Sequence, residues 1–303
     1  MEEYDLYKKP MPASERCFKI FTWTVLIFAS IVALYPVLRL VSLSFSDTYT
    51  SITDRTFALK LIPSSINLKN WELVLFKNMN YRKALFVSVS RTVLGTLTSV
   101  LACALLSYIL SRKKFMFRTE LSRFWVFTKF LSCGLVPTLV LYRKLHLIQS
   151  FWVYIIPGMV CVVHVLIMRS YMETIPDSQE ESAQLDGAGY LRIFWSIVCP
   201  LCKPVYAAVA LFTAVNHWNS WFDAFIFNRM SQEYSTLQFE LMKLLSSSYT
   251  IGATSTNSSQ SAMPSRGGVV AVVSLLTIVP VAILYPFVQK HFLTAVTIRG
   301  VKK

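Results

Sequence analysis

Residues 87–110 form a run of 24 residues with Arg91 as its only charge. About 20 apolar residues suffice for a helix to cross the hydrocarbon layer of a membrane. The chain holds six segments of this kind, near 19–43, 84–111, 120–142, 151–171, 202–227 and 268–290. Lipid offers no hydrogen-bond partner to a backbone, so each crossing segment must satisfy its own amides as a helix. The sequence therefore predicts an all-α membrane protein with six transmembrane helices. Composition agrees: 54% of residues are hydrophobic and 15% charged, with a mean hydropathy of +0.49, where soluble domains carry about 25% charged residues. The third segment is the weakest, because Lys129 interrupts it and Pro137 is expected to kink it.

The net charge of +14 suits anionic partners, but membrane topology accounts for it first. Cytoplasmic loops concentrate Lys and Arg. Segments 1–19, 112–123, 169–203 and 290–303 hold 16 basic residues, against 11 in 44–83, 142–150 and 228–267. Both termini are thus expected in the cytoplasm, the chain being multi-pass in the bacterial cytoplasmic (inner) membrane. No compact basic domain stands outside the apolar runs, which argues against a nucleic-acid partner. Residues 1–18 are too polar for a secretory signal, so the organisation expected is a cytoplasmic segment 1–18, a single six-helix domain 19–290 and a tail 291–303. The six cysteines fall mostly in or beside apolar runs, where disulfides are not expected. Cys199 and Cys202 form a lone C-x-x-C and read as core thiols. The outer loop 44–83 has apolar content enough for a small folded piece. The outer loop 228–267 is Ser/Thr-rich, cannot bury itself and is expected to be mobile.

One polar stretch of about twenty residues separates the fourth and fifth apolar runs and gains nothing from lipid. Its start, Pro176-Asp-Ser-Gln-Glu-Glu181, predicts a helix over about 178–187, with Ser178 and Glu181 as a capping box and acids favouring the positive helix end. Gly187 permits a sharp turn afterwards. Two readings are open on these residues: a docking knob for a partner, or a well-capped surface loop.

The spacing decides between them by resemblance. Glu181, Ala183, Gly187, Ile197 and Pro200 stand where transmembrane subunits of bacterial ABC importers have E-A-A-x3-G-x9-I-x-L-P, with Ser182 and Cys199 as the two departures. In that family the segment is the coupling helix, seated on a cytoplasmic ATPase, and the fold is the type I permease. The resemblance implies an ATPase-coupling role for Glu181, Ser182, Ala183, Asp186, Gly187, Ile197 and Pro200. Tyr35-Pro-Val-Leu-Arg-Leu-Val-Ser-Leu-Ser-Phe-Ser, the Trp218-Asn219 pair and the ending Gly300-Val-Lys-Lys resemble carbohydrate permeases of the maltose type. That likeness implies a tail contact of Gly300 and Val301 to the ATPase. Its flavour is nearest the branch importing oligosaccharides from plant or algal polysaccharides, uronic-acid polymers such as alginate and pectin included.

Apart from cations at their edges, the apolar runs hold Arg39, Arg91 and Lys129. Arg39 is near a span end and can snorkel. For Arg91 and Lys129 a cavity-facing role towards an anionic sugar and a structural ion pair are both open. Asn216, Trp218, Asn219, Trp221 and Asp223 mix amides, an acid and aromatic faces, as a sugar pathway does, or form an interfacial aromatic belt. The four histidines have no metal-ligand spacing, and no phosphate-cradling G-x-x-x-x-G-K-[ST] occurs. The chain is therefore read as a non-catalytic subunit that binds no cofactor, with ATP and Mg²⁺ on partner ATPases. Its expected partners are a second homologous permease, two ATP-binding cassette subunits, an extracytoplasmic solute-binding protein and membrane lipid. The alternatives are an ABC permease for a non-sugar solute and an ATPase-independent channel.

Overall fold

The computed structural model describes residues 13–46, 66–131, 133–251 and 266–300. In chain order the helices are α1 (Ala13–Phe45), α2 (Lys69–Glu72), α3 (Met79–Ser111), α4 (Arg118–Phe130), α5 (Leu135–Lys144), α6 (Val162–Met172), α7 (Asp177–Leu185), α8 (Tyr190–Leu201), α9 (Lys203–Asn219), α10 (Phe222–Phe227), α11 (Leu237–Ile251) and α12 (Arg266–Gly300). Among the described residues there is no strand. Three helices, Ser14–Phe45, Met79–Ser111 and Gly267–Pro286, are long and apolar enough to cross a membrane; counting the bent pairs α4 with α5, Phe151–Gly158 with α6, and α8 with α9 as one span each gives six.

The chain divides into two compact units: residues 1–72 with 259–275, and residues 73–258 with 276–303. One boundary falls inside the unbroken helix α12, which is why composition shows no linker there.

In the first unit, α1 satisfies several of its own hydroxyls. Thr22, Thr24 and Ser30 donate to the carbonyls of Phe18, Ile20 and Leu26 at 2.8, 2.8 and 2.7 Å, as a helix without polar neighbours requires. Its C-terminal carbonyls would otherwise be orphaned. The Asn70 amide covers two of them, donating to the carbonyls of Ser44 and Ser46 at 3.3 and 3.2 Å. Trp71 stacks on Phe45 with ring centroids 5.9 Å apart. Gly268 lies so near Asn70 that a Cβ there would stand 2.4 Å from its Nδ2.

The second unit is organised by α3, capped by Asn78, whose side chain accepts from the Asn80 amide at 3.0 Å. Arg91, Gly95, Ser99, Cys103, Ser107 and Ser111 recur every fourth residue and are all buried. Five of the six are small, so α6 and α9 pack closely on this stripe. Ser107 Oγ donates to the Val165 carbonyl at 2.9 Å, and Gly95 meets the His217 ring, leaving only 2.6 Å to Nε2 from a hypothetical Cβ. Gly95→Leu is thus expected to cost about 1–3 kcal/mol by overpacking. A thermal-unfolding midpoint unchanged from wild type in nanodiscs would show that the ring has room to move.

Several sequence expectations need correction. The third segment does not run through: α4 ends at Phe130 and α5 starts at Leu135 after Gly134 with φ +82°, while Pro137 sits inside α5 without interrupting it. The fifth does not run through 227: α9 ends at Asn219, Ser220 turns extended, and α10 starts afresh at Phe222. In 228–267, residues 237–251 form α11 with Leu237 and Phe239 buried. Those two apolar residues supply the burial that the Ser/Thr-rich centre lacks. Residues 252–265 lie outside the described residues. So do 47–65 of the loop 44–83, whose remainder includes α2 and a π-type turn at Leu73–Lys77. The tail 291–303 is helical through Gly300; Val301 lies outside the described residues.

Candidate functional site

The site begins with α7, nine residues long. No capping box forms: the helix starts at Asp177, so Ser178 is already inside it, and Pro176 in the cap position makes no side-chain hydrogen bond. Proline fits there because it has no amide to orphan. The other end closes as a Schellman motif. Gly187 takes φ +79°, its amide donates to the Gln184 carbonyl at 3.0 Å and the Ala188 amide to the Ala183 carbonyl at 2.9 Å.

One face of α7 is fixed to the bundle. Glu180 is buried and ion-pairs with Arg112, whose guanidinium carbon stands 4.8 Å from the Tyr108 ring centroid. Lys113 Nζ donates to Asp177 Oδ2 at 2.6 Å and Lys114 Nζ to Gln184 Oε1 at 3.1 Å. Ala183 and Ala188 pack on the core of Tyr108, Met168, Met172 and Phe194. The free face presents Glu181, Ser182, Asp186 and Leu185, the last 89% exposed. Leu185 is thus the large apolar side chain left bare on an otherwise polar helix. Beyond Gly187, α8 is stapled down by Ile193, Phe194 and Val198, with Ile197 half-buried and Pro200 exposed. It meets α9 at 81°.

The mount is sensitive to pH in one place. The Lys113 hydrogen bond, and then its charge, hold the Asp177 carboxyl below its ordinary value of 3.8. A depressed folded pKa gives stability that is present above the ordinary value and lost as pH falls through the lowered one. The clamp is therefore expected to persist down to about pH 3.8 and open below it. A ¹³C-carboxyl titration with its midpoint at or above the ordinary value would contradict this.

Of the residues expected to line a substrate pathway, Arg91 and Asp223 are brought together. Arg91, 3% exposed, makes a two-pronged ion pair with Asp223. It also donates to the Ser220 carbonyl at 3.2 Å and lies 4.4 Å from the Tyr154 ring centroid. Asp223 further accepts from Ser220 Oγ at 3.0 Å and the Ala224 amide at 2.9 Å. Of the two roles open for Arg91, the geometry is that of the ion pair: its charge is spent locking α3 to the α9–α10 break, while Asp223 keeps 25% of its side chain exposed. Trp218 is buried, its indole donating to the Thr277 carbonyl at 2.9 Å, and Trp221 packs edge-on against Phe222 at 5.7 Å. Asn216 and Asn219 remain exposed, with Phe212, on one face of α9, Gln238 reaching Asn219 Oδ1 at 3.4 Å. Lys129 is exposed on α4, and no hydrogen bond or ion pair joins it to this group among the described residues. Cys202 is buried and Cys199 lies 3.8 Å from the Tyr206 hydroxyl.

Sequence reasoning missed the residues that mount α7: Arg112, Lys113 and Lys114, counted only as topology charges, and Glu180, one residue ahead of the motif. The available signal was a basic triplet ending one span and an acid-rich helix start after another.

An all-α bundle of spanning length that holds out a short, rigid, uncovered helix is the architecture of a membrane permease subunit. Residues 124–297 match the model of the binding-protein-dependent transport system inner membrane component. The chain is 32% identical over 287 residues to the polygalacturonan/rhamnogalacturonan transport system permease protein YtcP of Bacillus subtilis, covering 95% of this chain and 99% of that relative. Among solved structures it superposes with a TM-score of 0.80 and 30% identity on a chain of a bacterial ABC transporter involved in the import of the acidic polysaccharide alginate, covering 93% of this chain and 99% of that one. A chain of a bacterial alginate ABC transporter in complex with alginate pentasaccharide-bound periplasmic protein shares the fold, with a TM-score of 0.56 at 13% identity. The chain belongs to the binding-protein-dependent transport system inner membrane component family, and is a membrane permease subunit of an ABC importer.

Proposed function

We propose that this permease carries oligosaccharides, acidic ones derived from polyuronates among them, across the cytoplasmic membrane. A second homologous permease completes the pathway. Two ATP-binding cassette subunits, holding ATP and Mg²⁺, seat on the free face of α7. An extracytoplasmic solute-binding protein delivers the substrate, both termini face the cytoplasm, and this chain performs no catalysis. The observation that carries the reading is the mounting of α7: Glu181, Ser182 and Leu185 stand outward on a helix fixed by Arg112, Lys113 and Lys114. A helix so held transmits a push from a bound ATPase instead of absorbing it. Closure of the ATPases then biases a two-state equilibrium of the spans between outward and inward access.

Substrate class rests on the polygalacturonan/rhamnogalacturonan relative and the alginate-importer neighbour. Arg91 adds no support for an acidic cargo, since its charge is already matched. Sugar contacts from this chain fall to the exposed amides Asn216 and Asn219, beside Phe212. Gly300, ending α12, and Val301 are assigned to the ATPase interface on family likeness alone. The test is an uptake screen with the reconstituted transporter across neutral oligosaccharides, uronic oligosaccharides and non-sugar solutes. Uptake confined to non-sugar solutes would overturn the substrate class.

A further inference from the structure

Beside the mount of α7, in the second unit, opens a cleft of about 450 Å³ between the end of α3, the start of α4 and the α6–α7 connection. Arg112, Lys113 and Arg118 line it, with Glu173, Pro176 and Asp177. The charges there are matched but for one. Arg112 pairs with Glu180, Lys113 with Asp177, and Glu173 with Arg169 at 2.9 Å. Arg118 has no ion pair among the described residues. The two residues before it stand at the edge of the lining and are apolar and bare, Met116 at 83% and Phe117 at 60% exposure. The turn 112–118 thus reads Arg-Lys-Lys-Phe-Met-Phe-Arg, a block of three apolar side chains flanked by cations where two spans end.

A soluble anion would be served by the cations alone; the bare methionine and phenylalanine have no use for it. A ligand satisfying both is amphiphilic, with an anionic head and an apolar body. We infer that this cleft is a binding site for an anionic phospholipid of the inner leaflet, its phosphate on Arg118 and its acyl chains along Met116 and Phe117. Clusters of Lys and Arg at span ends draw such headgroups, each cation contributing about 1 kcal/mol. Loss of the one unmatched cation therefore weakens retention about fivefold. The inference rests on the cytoplasmic placement of α7 proposed above.

The test reconstitutes the complete transporter in nanodiscs of dioleoylphosphatidylglycerol and dioleoylphosphatidylcholine and counts retained lipid by native mass spectrometry. Wild type is expected to retain phosphatidylglycerol over phosphatidylcholine, Arg118→Gln to lose about fivefold of that preference, and Arg118→Lys to recover it. Millimolar inorganic phosphate leaves retention unchanged. Equal retention of both lipids by wild type, an unaltered Arg118→Gln, or displacement by phosphate would each overturn the site. Labelling of Arg118→Cys by a membrane-impermeant maleimide, mapped by peptide mass, separates the failures. Modification from the inner side only, with lipid retention unaltered in Arg118→Gln, sinks the lipid site alone. Modification from the outer side sinks the orientation on which it rests.

Discussion

Replacing Glu181 by Lys and Leu185 by Asp together is expected to abolish uptake and to weaken ATPase attachment at least about 30-fold. Leu185 is nearly bare, and Glu181 is exposed beside it, so neither substitution disturbs the bundle. A fully desolvated anchor of an interface is worth at least about 2 kcal/mol, so the loss of one of the two already gives the 30-fold figure. The discriminating control is the solvent-exposed Ser178→Ala, on the same helix, which should co-purify with the ATPase as wild type does. The double variant retaining its ATPase at wild-type stoichiometry would remove α7 from the coupling path. Gly187→Val acts on the same element by another route. It forces a β-branched residue to φ +79°, costing at least about 1–2 kcal/mol, and undoes the Schellman closure while leaving every docking side chain in place.

The second large effect concerns the buried ion pair. Asp223→Asn leaves Arg91 charged with its side chain 3% exposed, and breaking a pair in this way costs about 3–5 kcal/mol. Arg91→Met is expected to be milder, because Asp223 is 25% exposed and keeps Ser220 Oγ and the Ala224 amide as donors. Arg91→Met with Asp223→Leu removes both charges and should recover most of the loss, since replacing both partners of a buried pair is often near neutral. Thermal unfolding in nanodiscs reads all three. If Arg91 instead met an anionic sugar directly, Arg91→Met would spare stability and lower uptake of uronic oligosaccharides selectively. That outcome would contradict the structural assignment.

These two sites also mark what the sequence disclosed and what it withheld. The spans were legible because lipid burial demands long apolar runs, as at 87–110. The α7 segment was legible because a polar stretch between two such runs needs a purpose outside lipid, and because its spacing resembles a known motif. Breaks were harder to see. Proline at 137 drew the eye, but Gly134 and Ser220 make the turns, each through local backbone geometry that hydropathy does not register. Helix α11 hid behind a Ser/Thr-rich neighbourhood, being held by Leu237 and Phe239 and by the Leu237 amide donating to Ser88 Oγ at 2.8 Å, a contact across 149 residues. The Arg91–Asp223 pair spans 132 residues. Either charge alone suggested a pathway; only the fold reveals that they cancel. For the same reason Glu180 passed as one more acid in a helix start, though Arg112 makes it the buried post on which the site stands.

The claim on which the rest depends is that α7 meets an ATPase on the inner side of the membrane. Site-directed cross-linking from Ser182→Cys, in vesicles holding the complete transporter, tests it most directly. The account predicts a covalent product with a P-loop ATPase, formed only when reagent reaches the inner face and altered by ATP. Modification of the same cysteine solely by an impermeant reagent added outside, with no ATPase product, would contradict it.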